Sequence, residues 1–301
     1  MLNDSISEWA DGVMQSIMGE IYAGLYDVCN NLFGFLFYFL NDRVEAAQDE
    51  LAMPVNTWNA SAYNLIHDVV VEDVCIPIAA AFVTFIFCLE LIHLMQDGNQ
   101  MHNIKPQNVI FIFIKFTVCA LICSKSFDIV MGFSDLGAMA VEKLGGYSAV
   151  AMENPLTLAD LLPETQDRYT FKLILMLLGD MLLLLASLII VCVMSVIIYV
   201  RVMLWFLEFL LYSSAAPIPF STFNNKEWAQ VGMNYTRKML ALSFEGFFLL
   251  LMLILYGYIV GGLQATDNFL KTLMMMLGTG VALIVLMQKA GSISSSIFNA
   301  H

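Results

Sequence analysis

The stretch RVMLWFLEFLLYSSAAPIPFSTFNNKEWAQVGMNYTRK, residues 201–238, decides the fold of this chain. It follows a very long apolar run and contains the only Pro-x-Pro sequence, formed by Pro217 and Pro219. It also carries four of the thirteen basic residues, which are Arg201, Lys226, Arg237 and Lys238. The first part of the stretch is apolar, two prolines interrupt it, and the part that follows is polar and basic. Beyond residue 238 the sequence is apolar again. This order predicts a cytoplasmic turn of a polytopic membrane protein.

Composition places the whole chain in the membrane class. Hydrophobic residues make up 59% of the 301 residues and charged residues only 13%, whereas a soluble globular protein has about 25% charged residues. Several apolar runs reach the length of a membrane helix. We therefore predict an all-α, polytopic transmembrane helix bundle with five spans, at about 74–95, 107–124, 172–200, 239–262 and 272–288.

The N-terminal region differs from these spans. Residues 5–40 have apolar residues about every four positions, with acids elsewhere on the helical wheel, which predicts an amphipathic helix at the membrane interface. A true first span over residues 17–40 is the alternative. Residues 41–73 are polar and contain Pro54 and Trp58, so we expect one or two short helices there.

Charge distribution predicts the orientation. Residues 1–73 hold twelve acids against one base, Arg43, and residues 125–170 hold seven acids against three bases. Because basic loops stay on the cytoplasmic side, we predict an external N-terminus and an internal C-terminus. The predicted regions are an acidic external part (1–73), two spans (74–124), an external helical loop (125–170), a long third span with a basic internal loop (171–238), and two spans with a short internal tail (239–301).

The third apolar run is too long for one crossing. Residues 171–220 are apolar with few charges, and a single helix of this length would extend about 70 Å, more than twice the apolar core of a bilayer. We predict a span over 172–200 that places Arg201 at the far interface. A second crossing by 202–220 would move the basic residues outside, so we predict that this segment is broken or re-entrant.

Four charged residues lie inside the predicted spans: Glu90, Lys115, Asp180 and Glu245. Each costs about 2.5–3.5 kcal/mol at the bilayer centre on insertion scales. Depth along the helices pairs Lys115 with Glu90 or Glu245 rather than with Asp180. Such a pair either locks the bundle or a subunit interface, or contributes to a polar conduit.

Two further sets of residues are candidates for a role in function or packing. We interpret the first set as the inner-mouth segment, which comprises Arg201, Glu208, Pro217, Pro219, Lys226, Arg237 and Lys238. Its bases also serve as topology determinants that contact lipid head groups. The second set, Gly257 and Gly261, permits close helix packing.

The sequence offers no support for an enzyme. Glu90 and His93 have the Glu-x-x-His spacing of di-iron bundles, but those sites require two copies. The six cysteines form no Cys-x-x-Cys pair, and their places in apolar sequence favour packing. No nucleophile or phosphate-binding motif is present. We therefore expect no enzyme activity, no cofactor and no metal.

Four segments of the C-terminal half have a familiar pattern: APIPFSTF (216–223), KEW (226–228), GMNYTRKMLAL (232–242) and FEGFFLLLMLILYG (244–257). They resemble the TrbL-type polytopic membrane subunit of conjugative type IV secretion systems. The N-terminal amphipathic helix and the long third span also fit this family, and the similarity extends loosely over the chain. The resemblance implies a non-enzymatic subunit of the bacterial cytoplasmic membrane.

The resemblance also implies assembly and partners. Subunits of this type form a ring-like homo-oligomer, work with a transport ATPase and small bitopic subunits, and help DNA–protein or protein substrates to cross the membrane. Two other classes fit the residues alone. A secondary transporter or channel for a small solute would use the broken helix and buried charges, although no internal repeat is visible. A structural membrane scaffold without a conduit is the third class.

Overall fold

The computed structural model describes residues 2–97, 106–148, 157–162, 164, 168–262 and 269–300. These residues form helices and connecting turns, with no strand among them, which confirms the all-α prediction. In chain order the elements are α1 (Leu2–Ala52), α2 (Val55–Trp58), α3 (Ala60–Asn64), a π-helix (Leu65–Cys75), α4 (Ile76–Asp97), α5 (Pro106–Ser124), α6 (Ser126–Ser148), a 3₁₀ turn (Leu158–Asp160), α7 (Phe171–Ser214), α8 (Pro217–Phe220), a 3₁₀ turn (Ser221–Asn224), α9 (Ala229–Gly261) and α10 (Phe269–Ile297).

The helices that could cross a membrane agree with the predicted number of spans. Four continuous segments in the described part of the chain have the necessary length and apolarity: Ala60–Gln96, Phe171–Ser214, Ala229–Val260 and Phe269–Ile297. A fifth is the bent pair Val109–Ser124 and Ser126–Leu144, whose halves meet at 57°. The predicted span at 107–124 is therefore only the first half of this pair. Its second half lies in what the sequence predicts to be a loop.

The N-terminal helix is longer than predicted. The sequence indicates a helix over residues 5–40, but α1 continues to Ala52. No proline interrupts this region before Pro54, which cannot continue a helix and instead precedes α2. α2 is one of the short helices expected over residues 41–73, whereas α3 continues through the π-helix into α4 as the single segment Ala60–Gln96. The Asn59 side chain caps α3 by accepting a hydrogen bond from the Ala62 N–H at 3.0 Å.

The long helix α7 does not divide where predicted. It runs unbroken for 44 residues, which corresponds to about 66 Å, and passes through Arg201 to end at Ser214. The prediction that the helix divides after residue 200 is thus wrong. Residues 201–214 contain neither proline nor glycine, so the first residue that resists helix continuation is Pro217.

Contacts divide the chain into two compact units, which are described separately. The first unit contains residues 1–47, 146–200 and 251–287. Its core is an apolar cluster of Tyr22, Tyr26, Cys29, Phe33, Leu158, Leu177, Leu184, Phe269, Leu273 and Met276. Two hydrogen bonds between Gln15 and the backbone of Tyr169, at 3.0 and 2.8 Å, join α1 to the residues that precede α7.

The second unit contains residues 48–145, 201–250 and 288–301. Its largest fully buried side chains include Phe206 and Phe209 of α7 and Leu242 of α9. The ring of Trp58 stacks on Phe206 with the centroids 4.5 Å apart. This unit also contains the proline-rich stretch, which is where the candidate site lies.

Candidate functional site

The chain forms a buried turn after α7, which we define as residues 215–225. It consists of α8 and the 3₁₀ turn that follows. Pro217 occupies the beginning of α8, where its missing N–H leaves no helical hydrogen bond unmade. Most of the turn is hidden from solvent; the buried residues are Ala216, Pro217, Phe220, Ser221, Thr222, Asn224 and Asn225. The proline break is therefore an internal feature of the second unit.

Side chains satisfy the irregular backbone of this turn. Ser221 Oγ donates to the carbonyl of Ile218 at 2.6 Å, and Thr222 Oγ1 donates to the carbonyl of Pro219 at 2.7 Å. Thr222 Oγ1 also accepts the N–H of Gly232 at 3.1 Å. Non-helical backbone at membrane depth is tolerated only where protein or water supplies such partners. The protein itself therefore supplies partners for the irregular backbone of this turn.

Asn225 connects the buried turn to α9. Its Oδ1 accepts hydrogen bonds from the N–H groups of Glu227 at 2.8 Å and Trp228 at 3.2 Å, in the manner of a helix cap. Its carbonyl accepts the N–H of Ala229, the first residue of α9, at 2.8 Å. Asn225 thus caps the N-terminus of α9, the helix that follows the turn.

Gly232 lets α9 lie against the turn. A Cβ atom at this position would be 2.8 Å from the carbonyl oxygen of Pro219 and 2.9 Å from the ring of Phe223. Only glycine fits at position 232 without a shift of the backbone. The first residue of the GMNYTRK segment is therefore required by its contact with the turn.

Two of the predicted intramembrane charges contact this turn, and this corrects their predicted pairing. The Lys115 ammonium donates to the carbonyl of Asn224. The Glu90 carboxylate accepts a long hydrogen bond, 3.5 Å, from Asn225 Nδ2. Within the described part of the chain no carboxylate lies within 4.0 Å of the Lys115 ammonium. Lysine and glutamate bind consecutive residues of the turn and not each other.

Glu245 pairs with a different base, Arg201. The Arg201 guanidinium of α7 donates to the Glu245 carboxylate of α9, and both side chains are buried. The predicted alternative in which Glu245 pairs with Lys115 is therefore wrong, because Glu245 pairs with Arg201. We call Arg201, Trp205, Glu245, Gly246 and Gly291 the ion-pair layer.

The helices that carry and border this ion pair pack closely against one another. Trp205 Nε1 donates to the carbonyl of Leu242 at 2.8 Å. A Cβ on Gly246 would be 2.8 Å from the Trp205 ring, and a Cβ on Gly291 would be 2.9 Å from Glu245 Oε2. Glycine on α9 and α10 therefore leaves room for the indole and the carboxylate, so three helices meet at one layer.

The remaining predicted residues are dispersed. Asp180 and Glu208 are partly buried, and Lys226 is exposed. The Lys238 ammonium lies 5.7 Å from the centre of the Tyr212 ring, while Arg237 is partly buried. Gly257 is buried in α9. The surroundings of Gly261 lie outside the described residues.

The site contains residues that the sequence analysis missed. Asn224, Asn225 and Trp205 make directional contacts, and Gly232, Gly246 and Gly291 provide space for them. The consecutive asparagines after a proline break could have indicated a capped re-entry. The described residues include no group of three or more His, Cys, Asp or Glu side chains placed to hold a metal.

The fold defines a multi-pass helical membrane protein with a buried turn whose backbone is held by side-chain hydrogen bonds. Residues 40–217, more than half of the chain, match the family described as "TrbL/VirB6 plasmid conjugal transfer like protein". The chain belongs to this family. No match was found among curated proteins or among solved structures.

Family membership confirms the resemblance and its broader consequences. The protein is a multi-pass protein of the bacterial cell membrane and a membrane subunit of a conjugal transfer system of the type IV secretion class. The matched residues end at Pro217. Most of the segments that carry the resemblance, from 216 to 257, therefore extend beyond the match, and these are the residues that build the buried turn and α9.

Proposed function

We propose that this protein is a non-enzymatic platform subunit that forms a ring-like homo-oligomer in the cytoplasmic membrane. The ring would provide a conduit for DNA–protein or protein substrates of the conjugation apparatus. Family membership supports the general role, and one structural observation, at Asp180, supports the oligomer.

Asp180 places a carboxylate in the most apolar helix of the chain. It lies within LILMLLGDMLLLLASL of α7, is partly exposed, and has no ion-pair partner among the described residues. A carboxylate facing lipid at the membrane centre costs about 2.5–3.5 kcal/mol on insertion scales. A subunit interface or a water-filled lumen would provide the polar surroundings that lipid does not. Asp180 therefore favours an assembly over a single lipid-surrounded copy.

Orientation and partners complete the proposal. With the N-terminus outside and the C-terminus inside, the acidic residues 1–73 are external and the basic part of residues 226–238 is cytoplasmic. Exposed Lys226 and the partly buried Arg237 and Lys238 then form the inner mouth with the buried turn. This basic surface is suited to contact the transport ATPase, while the small bitopic subunits contact the lipid-facing helices.

Electron microscopy of the purified protein, together with a transfer assay, tests the oligomer. We expect symmetric ring-shaped particles for the wild type. Asp180→Leu should dissociate the ring and reduce conjugal transfer, because it removes the carboxylate whose burial between subunits favours the assembly. Lys172→Met removes an exposed charge from the beginning of the same helix and should retain both properties.

A wild-type protein that stays monomeric and carries a small solute into liposomes would instead indicate a secondary transporter. A symmetric ring that persists in Asp180→Leu, with unchanged transfer, would contradict the proposal that Asp180 stabilises the oligomer. The orientation has its own test. Protease access to residues 41–73 only from the cytoplasmic side would refute an external N-terminal region.

A further inference from the structure

A cavity of about 290 Å³ opens beside the buried turn. Its walls come from α5, through Ile114, Lys115 and Cys119, and from the turn, through Phe220, Phe223 and Asn224. The volume is near the lower end of the range of about 300–1,000 Å³ for small-molecule sites. It can therefore hold a head group or part of a chain, with the rest of the ligand outside.

Two residues that line this cavity, Lys115 and Asn224, carry hydrogen-bond donors. The Lys115 ammonium has three N–H donors and gives one of them to the carbonyl of Asn224. The Nδ2 amide of Asn224 is buried and makes no hydrogen bond in the structure, and the residue is only 4% exposed. A buried donor without an acceptor costs about 1–3 kcal/mol. One donor of a residue that lines the cavity therefore has no acceptor within the protein.

The same cavity also lacks a negative charge. Among the residues that the structure describes, no Asp or Glu carboxylate lies within 4.0 Å of Lys115. Ionisable residues in membrane helices are generally paired with one another or with backbone carbonyls. Lys115 has the carbonyl but no counter-charge, so an anionic ligand fits better than a neutral one.

The open side of the cavity continues into a lipid-facing surface. Phe111 and Val118 also line it and, with Ile114, follow the spacing of one helix face. Their exposed fractions are 67%, 56% and 49% for Phe111, Ile114 and Val118. In a multi-pass membrane protein such apolar exposure faces acyl chains. A ligand that enters along this face has an apolar tail as well as an anionic head.

We propose that this cavity binds an anionic phospholipid. The phosphate accepts hydrogen bonds from the Lys115 ammonium and the Asn224 amide, and an acyl chain lies along Phe111, Ile114 and Val118. The bound lipid thereby supports the buried turn from its membrane side. This site is independent of the proposed ring, since all the residues named lie within one unit of one chain.

Lipid titration of the purified full-length protein tests the proposal. After delipidation in detergent, dioleoylphosphatidylglycerol is added and its dissociation constant is measured by native mass spectrometry. Dioleoylglycerol has the same acyl chains without the phosphate and should bind at least about tenfold more weakly, because a charge-assisted hydrogen bond is lost. Inorganic phosphate alone tests whether the anion is sufficient.

Variants connect the binding to this cavity. Lys115→Met should weaken phosphatidylglycerol binding at least about tenfold. Lys125→Met is the matched control, because Lys125 directly follows α5, is exposed and pairs with Asp128. Since Lys115 also holds the turn, its loss could prevent folding. Val118→Trp keeps both donors, fills the cavity from its exposed side, and should weaken binding in a folded protein.

The outcomes separate the possibilities. Selective binding of phosphatidylglycerol that is lost in Lys115→Met or Val118→Trp but retained in Lys125→Met supports the proposal. Equal affinity for dioleoylglycerol, or binding unchanged in Val118→Trp, overturns it. Inorganic phosphate that binds as tightly as the lipid would show a simple anion site and would overturn the assignment to a lipid.

Discussion

The two units of the protein have different interiors. Of the fourteen buried polar or charged side chains in the described residues, eleven belong to the second unit and three to the first. The core cluster of the first unit is built from leucine, phenylalanine, tyrosine, methionine and one cysteine. The second unit places an ion pair, asparagines, serines and a threonine among its apolar residues.

This difference separates two ways of stabilising a membrane protein. Apolar side chains contact one another or lipid with similar ease, so an apolar core tolerates small changes in geometry. Buried polar groups require particular partners at particular distances and lose stability when one partner is removed. We therefore expect the second unit to respond strongly to substitution and the first unit weakly.

The largest effect should follow from Glu245→Ala. The change removes the carboxylate that contacts the buried Arg201, and removal of one partner of a buried pair typically costs about 3–5 kcal/mol. Equilibrium unfolding in mixed micelles measures the loss of free energy.

Glu227→Ala is the control, because Glu227 is exposed and its loss should change stability by no more than about 0.5 kcal/mol. The double variant Arg201→Met with Glu245→Leu should recover much of the loss, since two apolar residues leave no isolated charge. Equal stability of Glu245→Ala and the wild type would contradict a stabilising ion-pair layer.

Gly137→Ala should have the next largest effect. A Cβ at this position of α6 would be 2.3 Å from the carbonyl oxygen of Ser243 on α9, and backbone atoms cannot rotate away. We expect a loss of about 1–3 kcal/mol, as for other overpacked positions. Gly132→Ala on the same helix meets nothing within 4 Å and should be neutral or slightly stabilising. Indistinguishable melting temperatures of the two variants would disprove this contact between α6 and α9.

Asn225→Ala should have a moderate effect that is confined to the start of α9. It removes the acceptor of the Glu227 and Trp228 N–H groups, and loss of a helix cap costs about 0.5–2 kcal/mol. Hydrogen exchange should accelerate over residues 226–230. Asn234→Ala, within α9, removes only an exposed contact with Gln230, and its exchange pattern should match that of the wild type. Uniform acceleration over the whole chain would argue against a local cap.

The smallest effect is expected in the first unit, for Gly280→Ala. The new Cβ would lie 2.0 Å from Met194 Cε, which is the flexible end of a side chain that can move aside. Better helix propensity offsets the contact, so the net change should be within about 1 kcal/mol. Gly278→Ala meets nothing within 4 Å and provides the reference. A loss as large as that of Gly137→Ala would show that the two units do not differ as proposed.

The all-α class and the number of membrane-spanning segments, four or five, could be predicted from the sequence because length and apolarity are properties of a segment alone. Proline marked the true break, since α8 begins at Pro217. The assumed division of α7 at Arg201 failed because a charge does not end a helix, whereas a missing N–H does. For the same reason α1 ends at Ala52, two residues before Pro54.

Partners of the buried charges could not be predicted by depth. Depth fixes the position of a residue along a helix axis but not its direction around that axis. Lys115 and Glu90 are at depths where they could pair, yet they point to Asn224 and Asn225. The rotation of each helix is set by close contacts such as those at Gly246 and Gly291, which depend on the whole packed arrangement.

The contact between Lys115 and Asn224 has a consequence for biosynthesis. The lysine is made 109 residues before the carbonyl that it contacts. At a synthesis rate of about 5–20 residues per second, this interval lasts roughly 5–20 s. During that time α5 already exists while the buried turn is still unmade, so the nascent membrane segment carries a cation whose final acceptor has not been translated. Surrounding lipid or water has to stabilise that charge first. Once the turn has formed, the carbonyl of Asn224 replaces lipid or water as the hydrogen-bond acceptor of Lys115.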